Sequence, residues 1–253
     1  MMHLTTVVDE MSLRALEREG CLLLQDVFSR EETELLCSYL DPLFEDSKDS
    51  ASIRNRAGLV YAARNVLQLW PDVFKVSQQP RLNRLLDRVL GSTCGLVRVL
   101  YFDKPPGQTW ALPWHKDITI AVTPPETVPE NIEEHWTKVR SKAGVPHVEA
   151  DVTTLSHMLT LRVHLDPARS ENGALSISPG SHHSGKELNL DGPREMVFAE
   201  AGDVFVMRPM LSHCSGQSTP MTPLQRRILH LEFATSPNLP HGFEWHTFLP
   251  VIR

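Results

Sequence analysis

Two residue types that bind metal ions stand two positions apart in the stretch WALPWHKDITIAV, residues 110–122: His115 and Asp117. The β-favouring run of residues 118–122 follows them directly. In a β-strand, side chains at positions i and i+2 point to the same face. We therefore expect the imidazole and the carboxylate to converge on one point. With a second histidine from elsewhere, they would complete a 2-His-1-carboxylate triad of the kind that holds Fe(II) with open positions.

A histidine and an aspartate at this spacing also occur by chance. With 12 histidines in the chain, about 0.6 such pairs are expected from average aspartate usage. The chain contains two, His115/Asp117 and His164/Asp166. The pair alone therefore does not establish a metal site, and other parts of the chain are needed to decide.

The composition is that of a soluble globular protein. The chain has 253 residues, of which 41% are apolar and 22% charged, and this length suits one large domain. The net charge of −6 argues against a nucleic-acid-binding surface, and no apolar run approaches the roughly 18 residues of a membrane span. Residues 1–10 show no basic-then-apolar signal pattern. The four cysteines form no CxxC pair and are expected as free thiols, which predicts a cytoplasmic location.

The first part of the chain, residues 1–92, is predicted to form a mainly helical layer. Ser29 and Glu32 form a capping box before one helix, and Gly20 and Gly91 end two others. Residues 21–24 are expected as a buried strand and residues 46–56 as a polar loop. The predicted helices cover residues 13–18, the segment with Leu35, Leu36, Tyr39, Leu40 and Leu43 on one stripe, residues 65–78 with an interruption at Pro71, and residues 81–90.

Residues 93–253 change in character to short β-favouring runs separated by turn signals, which predicts a sandwich or barrel. One interruption, residues 124–149, is rich in proline and charge, shows no strand pattern, and is predicted to be a lid-like insertion. Its Trp136 and His147, with Arg64, Trp110 and Trp114, would line a pocket, although core packing is the commoner fate of an aromatic side chain. Strands are expected over residues 96–102, 118–122, 159–165, 174–177, 203–207 and 228–233.

The second histidine of the triad is sought beyond the predicted strand of residues 203–207, where His213 follows. A surface histidine in a polar loop is the alternative for this position. Further on, alternation divides residues 226–233 into two faces, and Arg226 falls on the polar one. There it would bind a carboxylate with two parallel hydrogen bonds, unless this face is simply solvated.

Three motifs occur in an order that resembles the phytanoyl-CoA dioxygenase family of Fe(II)- and 2-oxoglutarate-dependent oxygenases. The motifs are WHKD ending at Asp117, ENGALSISPGSH over residues 171–182, and HCS over residues 213–215 followed by the Arg226–Arg227 pair. The opening segment GCLLL, residues 20–24, is also similar to that family. The resemblance extends over nearly the whole chain, and the ordered set is more specific than any one motif.

The resemblance implies a double-stranded β-helix, a jelly-roll (cupin-like) barrel that is mainly β, with the N-terminal helices packed outside. It implies that His115, Asp117 and His213 bind iron. Arg226 would bind the distal carboxylate of 2-oxoglutarate, with Arg227 in its place if the register is shifted by one, and Ser215 would help to hold this cosubstrate. The family has no ligands at Asp166 or His182, which are therefore expected to be structural.

The resemblance also implies a reaction: Fe(II), 2-oxoglutarate and O2 hydroxylate a C–H bond of a small molecule, with release of succinate and CO2. Because Asp117 occupies the carboxylate position, halogenation is disfavoured. Desaturation, cyclisation or epimerisation on the same iron site, and a non-catalytic ligand-binding barrel, stay open. The sequence assigns neither the further cosubstrate contacts, for which Lys104, Thr160 and Arg162 are possible, nor a monomer over a homodimer. It shows no strongly basic cluster for a CoA phosphate, which disfavours that substrate.

Overall fold

The computed structural model describes residues 2–46, 52–56, 59–107, 109–127, 129 and 132–251. Short 3-10 segments cover Pro71–Gln78, Ser181–Ser184 and Pro240–Gly242. The α-helices in the described ranges are α1 (Glu10–Glu19), α2 (Arg30–Asp46), α3 (Val66–Leu69), α4 (Pro80–Leu90), α5 (Glu134–Thr137) and α6 (Val152–Ser156). The strands in these ranges are β1 (Leu4–Thr5), β2 (Cys21–Leu24), β3 (Ile53–Arg56), β4 (Leu59–Ala63), β5 (Gly95–Lys104), β6 (Leu112–His115), β7 (Thr119–Thr123), β8 (Arg140–Lys142), β9 (Val145–Glu149), β10 (Met158–His164), β11 (Leu175–Ile177), β12 (Glu195–Val197), β13 (Val204–Met207), β14 (His213–Ser215), β15 (Arg226–Ala234), β16 (Glu244–Trp245) and β17 (Leu249–Pro250).

These strands form three sheets. The main sheet has the order β1-β2-β13-β10-β15-β5-β4-β3, with β17 also paired to β5. A minor sheet has the order β12-β11-β14-β6, and a third has the order β16-β7-β9-β8. Apart from the parallel β1–β2 pair, neighbouring strands run antiparallel. The predicted fold, a mainly β jelly-roll with helices outside, is confirmed.

The main sheet has one apolar and one polar face, and the two faces have different neighbours. On β15, Leu229, Leu231 and Phe233 are buried in the core shared with the helices, together with Leu82 of α4 and Leu40 of α2. Burying such side chains against a sheet is the main source of helix stability in a globular protein. The alternating polar positions of β15 face away from this core and are equally buried.

Local signals position the helices as predicted, with one exception. Ser29 and Glu32 form the capping box: the Glu32 side chain accepts from Ser29 N at 2.6 Å, and Ser29 Oγ accepts from Glu32 N at 3.2 Å. The predicted stripe of α2 is wrong in part, because Leu35 and Tyr39 are each 54% exposed. The buried positions are Thr33, Cys37, Leu40 and Phe44, whose spacing of three and four residues defines a single helix face.

The polar loop expected over residues 46–56 is also wrong in part. Within it, β3 forms a hairpin with β4 at the edge of the main sheet, while residues 47–51 lie outside the described residues. No alternating apolar pattern marks these residues, because an edge hairpin exposes polar side chains such as Arg54. The mainly helical N-terminal segment thus also contributes four strands to the main sheet.

The segment predicted as a strandless insertion, residues 124–149, contains two strands. β8 and β9 extend the third sheet, with β9 paired to β7. Trp136 is fully buried and packs against Phe243 at 5.0 Å between ring centroids. Residues 128, 130 and 131 lie outside the described residues. The lid-like role and the single-domain organisation stay predictions. None of the helices in the described ranges has the length and apolar character that a membrane span requires.

Candidate metal centre

Pairing of the minor sheet brings two histidines together. β14 lies antiparallel to β6, and His213 is the direct partner of His115 in this register. The ring centroids of the two imidazoles are 4.2 Å apart. Asp117 lies in the connection between β6 and β7, where its backbone N–H donates to Pro209 O at 2.9 Å.

These three residues form one cluster of candidate metal ligands, with ligand atoms all within 4.8 Å of one another. Asp117 Oδ1 lies 3.7 Å from His115 Nε2, and Asp117 Oδ2 lies 3.6 Å from His213 Nε2. The expected convergence is present, but its expected cause is not. His115 ends a strand and Asp117 belongs to the following turn, so strand alternation does not orient the pair.

Backbone carbonyls fix the tautomer of both imidazoles. His115 Nδ1 bonds to Pro113 O at 2.7 Å, and His213 Nδ1 bonds to Leu211 O at 2.9 Å. Because a carbonyl oxygen only accepts, each Nδ1 carries a proton, so Nε2 is the nitrogen with the free lone pair in the neutral tautomer. This is the arrangement in which histidine binds a metal ion, with the second nitrogen held by an outer partner.

The ionisation of the cluster also suits a metal ion. Burial would raise the pKa of Asp117, but the neighbouring His213, His230, His115 and Arg98 outweigh it and hold that pKa well below its usual range. Burial lowers the pKa of His213 to about 4. At neutral pH the site therefore offers a carboxylate and a neutral imidazole, the states that bind metal. Asp117 Oδ2 is buried without a hydrogen-bond partner among the described residues, and two imidazole nitrogens with one carboxylate are the donor set of non-haem Fe(II).

Arg226 is a buried cation beside this cluster. It is 2% exposed, donates from Nη2 to Ser215 Oγ at 3.1 Å and from Nε to Asn172 O at 3.2 Å. Within the described part of the chain, no carboxylate pairs with it. Burial, followed by repulsion from Arg162, lowers its pKa to about 9. A buried charge without a counter-charge is costly, so this position favours an anionic ligand.

Arg227 points the other way and is bound by carboxylates. Its guanidinium donates to both oxygens of Asp166, from Nε at 2.8 Å and from Nη2 at 2.9 Å, and it also contacts Asp41 of α2. Hydrogen bonding to Asp166 raises the pKa of Arg227 well above its usual range. Of the two neighbouring arginines, Arg226 is thus the one that faces the candidate site.

The rest of the interior contains polar groups that the sequence did not assign. Lys104 Nζ donates to Gly173 O at 3.3 Å and to Gly216 O, and burial lowers the pKa of Lys104 to about 7. Thr160 Oγ1 and both ring nitrogens of His164 are buried without hydrogen-bond partners among the described residues. These groups occupy every second position of β5 and β10, on the sheet face opposite to the helices. This alternation of polar and apolar residues is the sequence pattern that could have identified them.

A buried network that the sequence analysis missed crosses the main sheet near Asp117. Arg162 Nη1 bonds to His230 Nδ1 at 2.9 Å, and His230 Nε2 bonds to Glu232 Oε1 at 3.1 Å. Glu232 in turn accepts from Arg98 Nε at 2.8 Å and Nη2 at 2.5 Å. The polar face of β15, for which a solvated surface was the alternative, therefore lies in the interior.

A cavity of about 570 Å³ opens onto the triad. Arg64 and Trp110 line it as predicted. Trp114, Trp136 and His147 are not among its lining residues. Trp136 and His147 are buried. The guanidinium carbon of Arg194 lies 5.6 Å from the centroid of the Trp114 ring.

The remaining candidates lie apart from the triad. Asp166 binds Arg227, so it is not available with His164 as a ligand pair. The ring of His182 packs against Gly20, and its Nε2 bonds to Glu17 O at 3.0 Å. A Cβ at Gly20 would meet this ring at 2.4 Å, and the φ of Gly20 is 75°. Asp166 and His182 thus contact the surrounding chain rather than the candidate metal site.

Comparison with known proteins now identifies the family. The sequence profile of the phytanoyl-CoA dioxygenase (PhyH) family matches residues 16–222. The chain belongs to the phytanoyl-CoA dioxygenase family. The predicted membership is therefore confirmed, and its span includes the triad and ends just before Arg226. None of the curated protein sequences matches this chain significantly.

Solved structures show the same fold at low sequence identity. EctD from S. alaskensis with 2-oxoglutarate and 5-hydroxyectoine superposes with a TM-score of 0.67 at 18% identity, covering 90% of this chain and 76% of EctD. The same enzyme was solved with bound Fe. The non-heme alpha ketoglutarate dependent epimerase SnoN from nogalamycin biosynthesis has a TM-score of 0.65 at 18% identity, covering 92% and 88%. The carbocyclase SnoK from the same biosynthesis has a TM-score of 0.64 at 17% identity, covering 93% and 89%.

Proposed function

We propose that this protein is an Fe(II)- and 2-oxoglutarate-dependent dioxygenase that hydroxylates a C–H bond of a small molecule and releases succinate and CO2. One observation carries the proposal: His115, Asp117 and His213 converge within 4.8 Å beside Arg226, a buried cation without a carboxylate partner among the described residues. The first group provides ligands for Fe(II), and the second attracts the free carboxylate of a chelating dianion. Membership of the phytanoyl-CoA dioxygenase family supports the same reaction class.

In this proposal the chain binds and orients while the cofactors carry the oxidation. His115, Asp117 and His213 would hold Fe(II), and the bound metal would supply the site for the keto acid and O2. Arg226 binds the distal carboxylate of 2-oxoglutarate, and Ser215 positions the guanidinium through its hydroxyl. When bound, iron and 2-oxoglutarate with O2 supply an oxidant strong enough to attack an unactivated C–H bond.

Ser215 is itself held in place. Its hydroxyl donates to Gly173 O at 3.3 Å while it accepts from Arg226. The Arg226 end of the pocket is therefore organised before any ligand arrives, which lowers the cost of ordering side chains on binding.

Two other outcomes stay open on this site. SnoN and SnoK, which share the fold, are an epimerase and a carbocyclase, so product analysis is needed to separate hydroxylation from those reactions. A non-catalytic barrel would bind 2-oxoglutarate without forming succinate.

The first experiment is anaerobic absorption spectroscopy of the purified protein with Fe(II) and 2-oxoglutarate. Chelation of iron by the keto acid gives a visible metal-to-ligand charge-transfer band. We expect this band in the wild type and its loss in His115→Ala and His213→Ala. Absence of the band in folded wild-type protein would overturn the proposal.

His147→Ala is the matched control. His147 is 3% exposed, and its Nδ1 bonds to Val145 O at 2.9 Å, the same backbone arrangement as in the two candidate ligands. It does not line the cavity. This variant should keep the band, and circular dichroism of each variant verifies that the fold is retained.

A further inference from the structure

Four cations from separate parts of the chain line one side of the cavity. They are Arg54 of β3, Arg64 directly after β4, Arg98 of β5 and Lys142 of β8. Among the described lining residues, Asp117 is the one carboxylate, and the proposed iron site uses it. This side of the cavity therefore carries an excess of positive charge, and we call these four residues the cationic wall.

Two of these four charges, those of Arg64 and Lys142, have no carboxylate partner within the described ranges. Arg98 is paired with Glu232, which raises the pKa of its guanidinium although burial opposes it. Arg64 has no carboxylate partner among these residues, and Lys142 Nζ donates to the neutral Thr119 Oγ1 at 2.9 Å. Burial, with repulsion from Arg98, lowers the pKa of both Arg64 and Lys142. Like charges held together without an anion are a typical site for an anionic ligand.

The cavity also has an apolar wall. Its side chains are Tyr61, Leu100, Phe102, Trp110 and Leu112. Trp110 is fixed by a hydrogen bond from its Nε1 to Asp103 O at 2.9 Å, and its ring lies 6.3 Å from those of Tyr61 and Phe102. A ligand that fills this cavity would therefore meet both apolar surface and positive charge.

The cationic wall is distinct from the position of Arg226. In the register of β15 with β5, Arg226 is the partner of Lys104, and Glu232 is the partner of Arg98. Arg98 of the cationic wall therefore lies six residues along β5 from the position of Arg226. The proposed cosubstrate thus occupies one cationic position and leaves the other without a ligand.

We propose that the substrate is an amphipathic anion whose carboxylate or phosphate group binds Arg64 and Lys142 while its apolar part lies along Trp110, next to the triad. This inference rests on the proposed function, since it names the substrate class of the same site. The sequence shows no strongly basic cluster for a CoA phosphate, whereas the cationic wall is formed by residues that are distant in sequence.

The test measures binding rather than turnover. Isothermal titration calorimetry under anaerobic conditions, with Fe(II) and saturating 2-oxoglutarate, compares four probes of equal chain length: hexanoate, hexyl phosphate, 1-hexanol and hexylamine. We expect hexanoate or hexyl phosphate to bind about tenfold or more tightly than 1-hexanol, and hexylamine most weakly. The preference between the first two distinguishes a carboxylate substrate from a phosphate one.

Three variants locate the binding. Arg64→Gln and Lys142→Gln should each weaken binding of the preferred anion about three- to thirtyfold, because each removes a partly desolvated charge–charge contact. Arg140→Gln is the matched control: Arg140 lies two residues before Lys142 on β8, is exposed, and does not line the cavity. It should leave the affinity within about twofold.

Two results would overturn the inference. One is equal affinity for 1-hexanol and the two anions. The other is an anion affinity that falls in Arg226→Gln but not in Arg64→Gln or Lys142→Gln, since the probe would then occupy the cosubstrate position. Failure of the proposed function gives a different pattern: the charge-transfer band is absent, while metal-free protein still binds the anions in an Arg64-dependent way.

Discussion

Arg226 Nη2 donates a hydrogen bond of 3.1 Å to Ser215 Oγ, and this bond links the main sheet to the minor sheet. Arg226 begins β15 of the main sheet, and Ser215 ends β14 of the minor sheet, two residues after His213. This contact ties the candidate cosubstrate position directly to the strand that carries a candidate iron ligand.

Replacing Arg226 should therefore weaken the binding of 2-oxoglutarate far more than the binding of Fe(II). Arg226→Gln removes a buried charge-assisted contact worth about 1.5–3 kcal/mol, or about ten- to 150-fold in affinity. Ser215→Ala removes the positioning bond to Arg226 together with the bond to Gly173 O, and should weaken 2-oxoglutarate binding about threefold to tenfold. The charge-transfer band, titrated with 2-oxoglutarate at fixed Fe(II), measures both.

Arg227→Gln is the control for that series. Its guanidinium binds Asp166 and Asp41, so its loss should lower the free energy of unfolding by about 1–3 kcal/mol and leave 2-oxoglutarate affinity within about twofold. A large loss of 2-oxoglutarate affinity in Arg227→Gln, with Arg226→Gln unaffected, would show that the wrong arginine has been assigned.

Asp117 should contribute both to metal binding and to the stability of the metal-free protein. Its Oδ2 is buried without a hydrogen-bond partner among the described residues, but its carboxylate lies 3.7 Å from His115 Nε2 and 3.6 Å from His213 Nε2. These neighbours help to hold its pKa well below its usual range, so the ionised carboxylate is favoured in the folded state. Asp117→Ala should lower affinity for Fe(II), or for Co(II) as a spectroscopic substitute, by at least about 100-fold. The melting temperature of the metal-free protein should also fall, because the interactions that favour the ionised carboxylate in the folded state are lost.

The exposed Asp191 provides the comparison for Asp117. Asp191→Ala should bind Co(II) as the wild type does. If Asp117→Ala kept wild-type metal affinity, or if it failed to fold, Asp117 would have to be reassigned as a structural residue.

The sequence predicted those parts of the site that local motifs carry. His115, Asp117, His213 and Arg226 each lie in or beside a short motif, and the main sheet strands were recognisable from apolar runs. It did not predict the cationic wall, because Arg54, Arg64, Arg98 and Lys142 are distant in sequence and come together only through the β3–β4 hairpin and the third sheet. The strands that carry Arg54 and Lys142, β3 and β8, are short and polar, so they lack the apolar periodicity on which strand prediction depends.

Asp103 should make stability depend on pH. It is 6% exposed, and burial raises its pKa to about 6 although Gln225 and Tyr101 donate hydrogen bonds to its Oδ2. The folded protein then holds this proton more tightly than the unfolded chain, whose pKa stays near 3.8. Stability from this residue is therefore fully present below pH 3.8 and is lost as the pH rises through about 6.

Asp103→Asn mimics the protonated side chain and tests this directly. At pH 7 the free energy of unfolding of the variant should exceed that of the wild type by up to about 3 kcal/mol. This difference should shrink towards pH 4. Urea denaturation at pH 4.5 and pH 7 measures it, with Asp191→Asn as an exposed control. A gain that is equal at both pH values would show that ionisation of Asp103 is not its source.

Substitution of Trp136 tests whether residues 124–149 belong to the hydrophobic core or act as a lid over the site. Trp136 is fully buried, packs against Phe243 and stands 5.7 Å from the His241 ring. Trp136→Ala should lower the free energy of unfolding by about 3–5 kcal/mol, as for other large core side chains, without changing 2-oxoglutarate affinity. Trp110→Ala removes a side chain that lines the cavity. It should weaken hexanoate binding and change the free energy of unfolding only slightly. Were Trp136→Ala as stable as the wild type but impaired in ligand binding, the segment would act as a lid over the site after all.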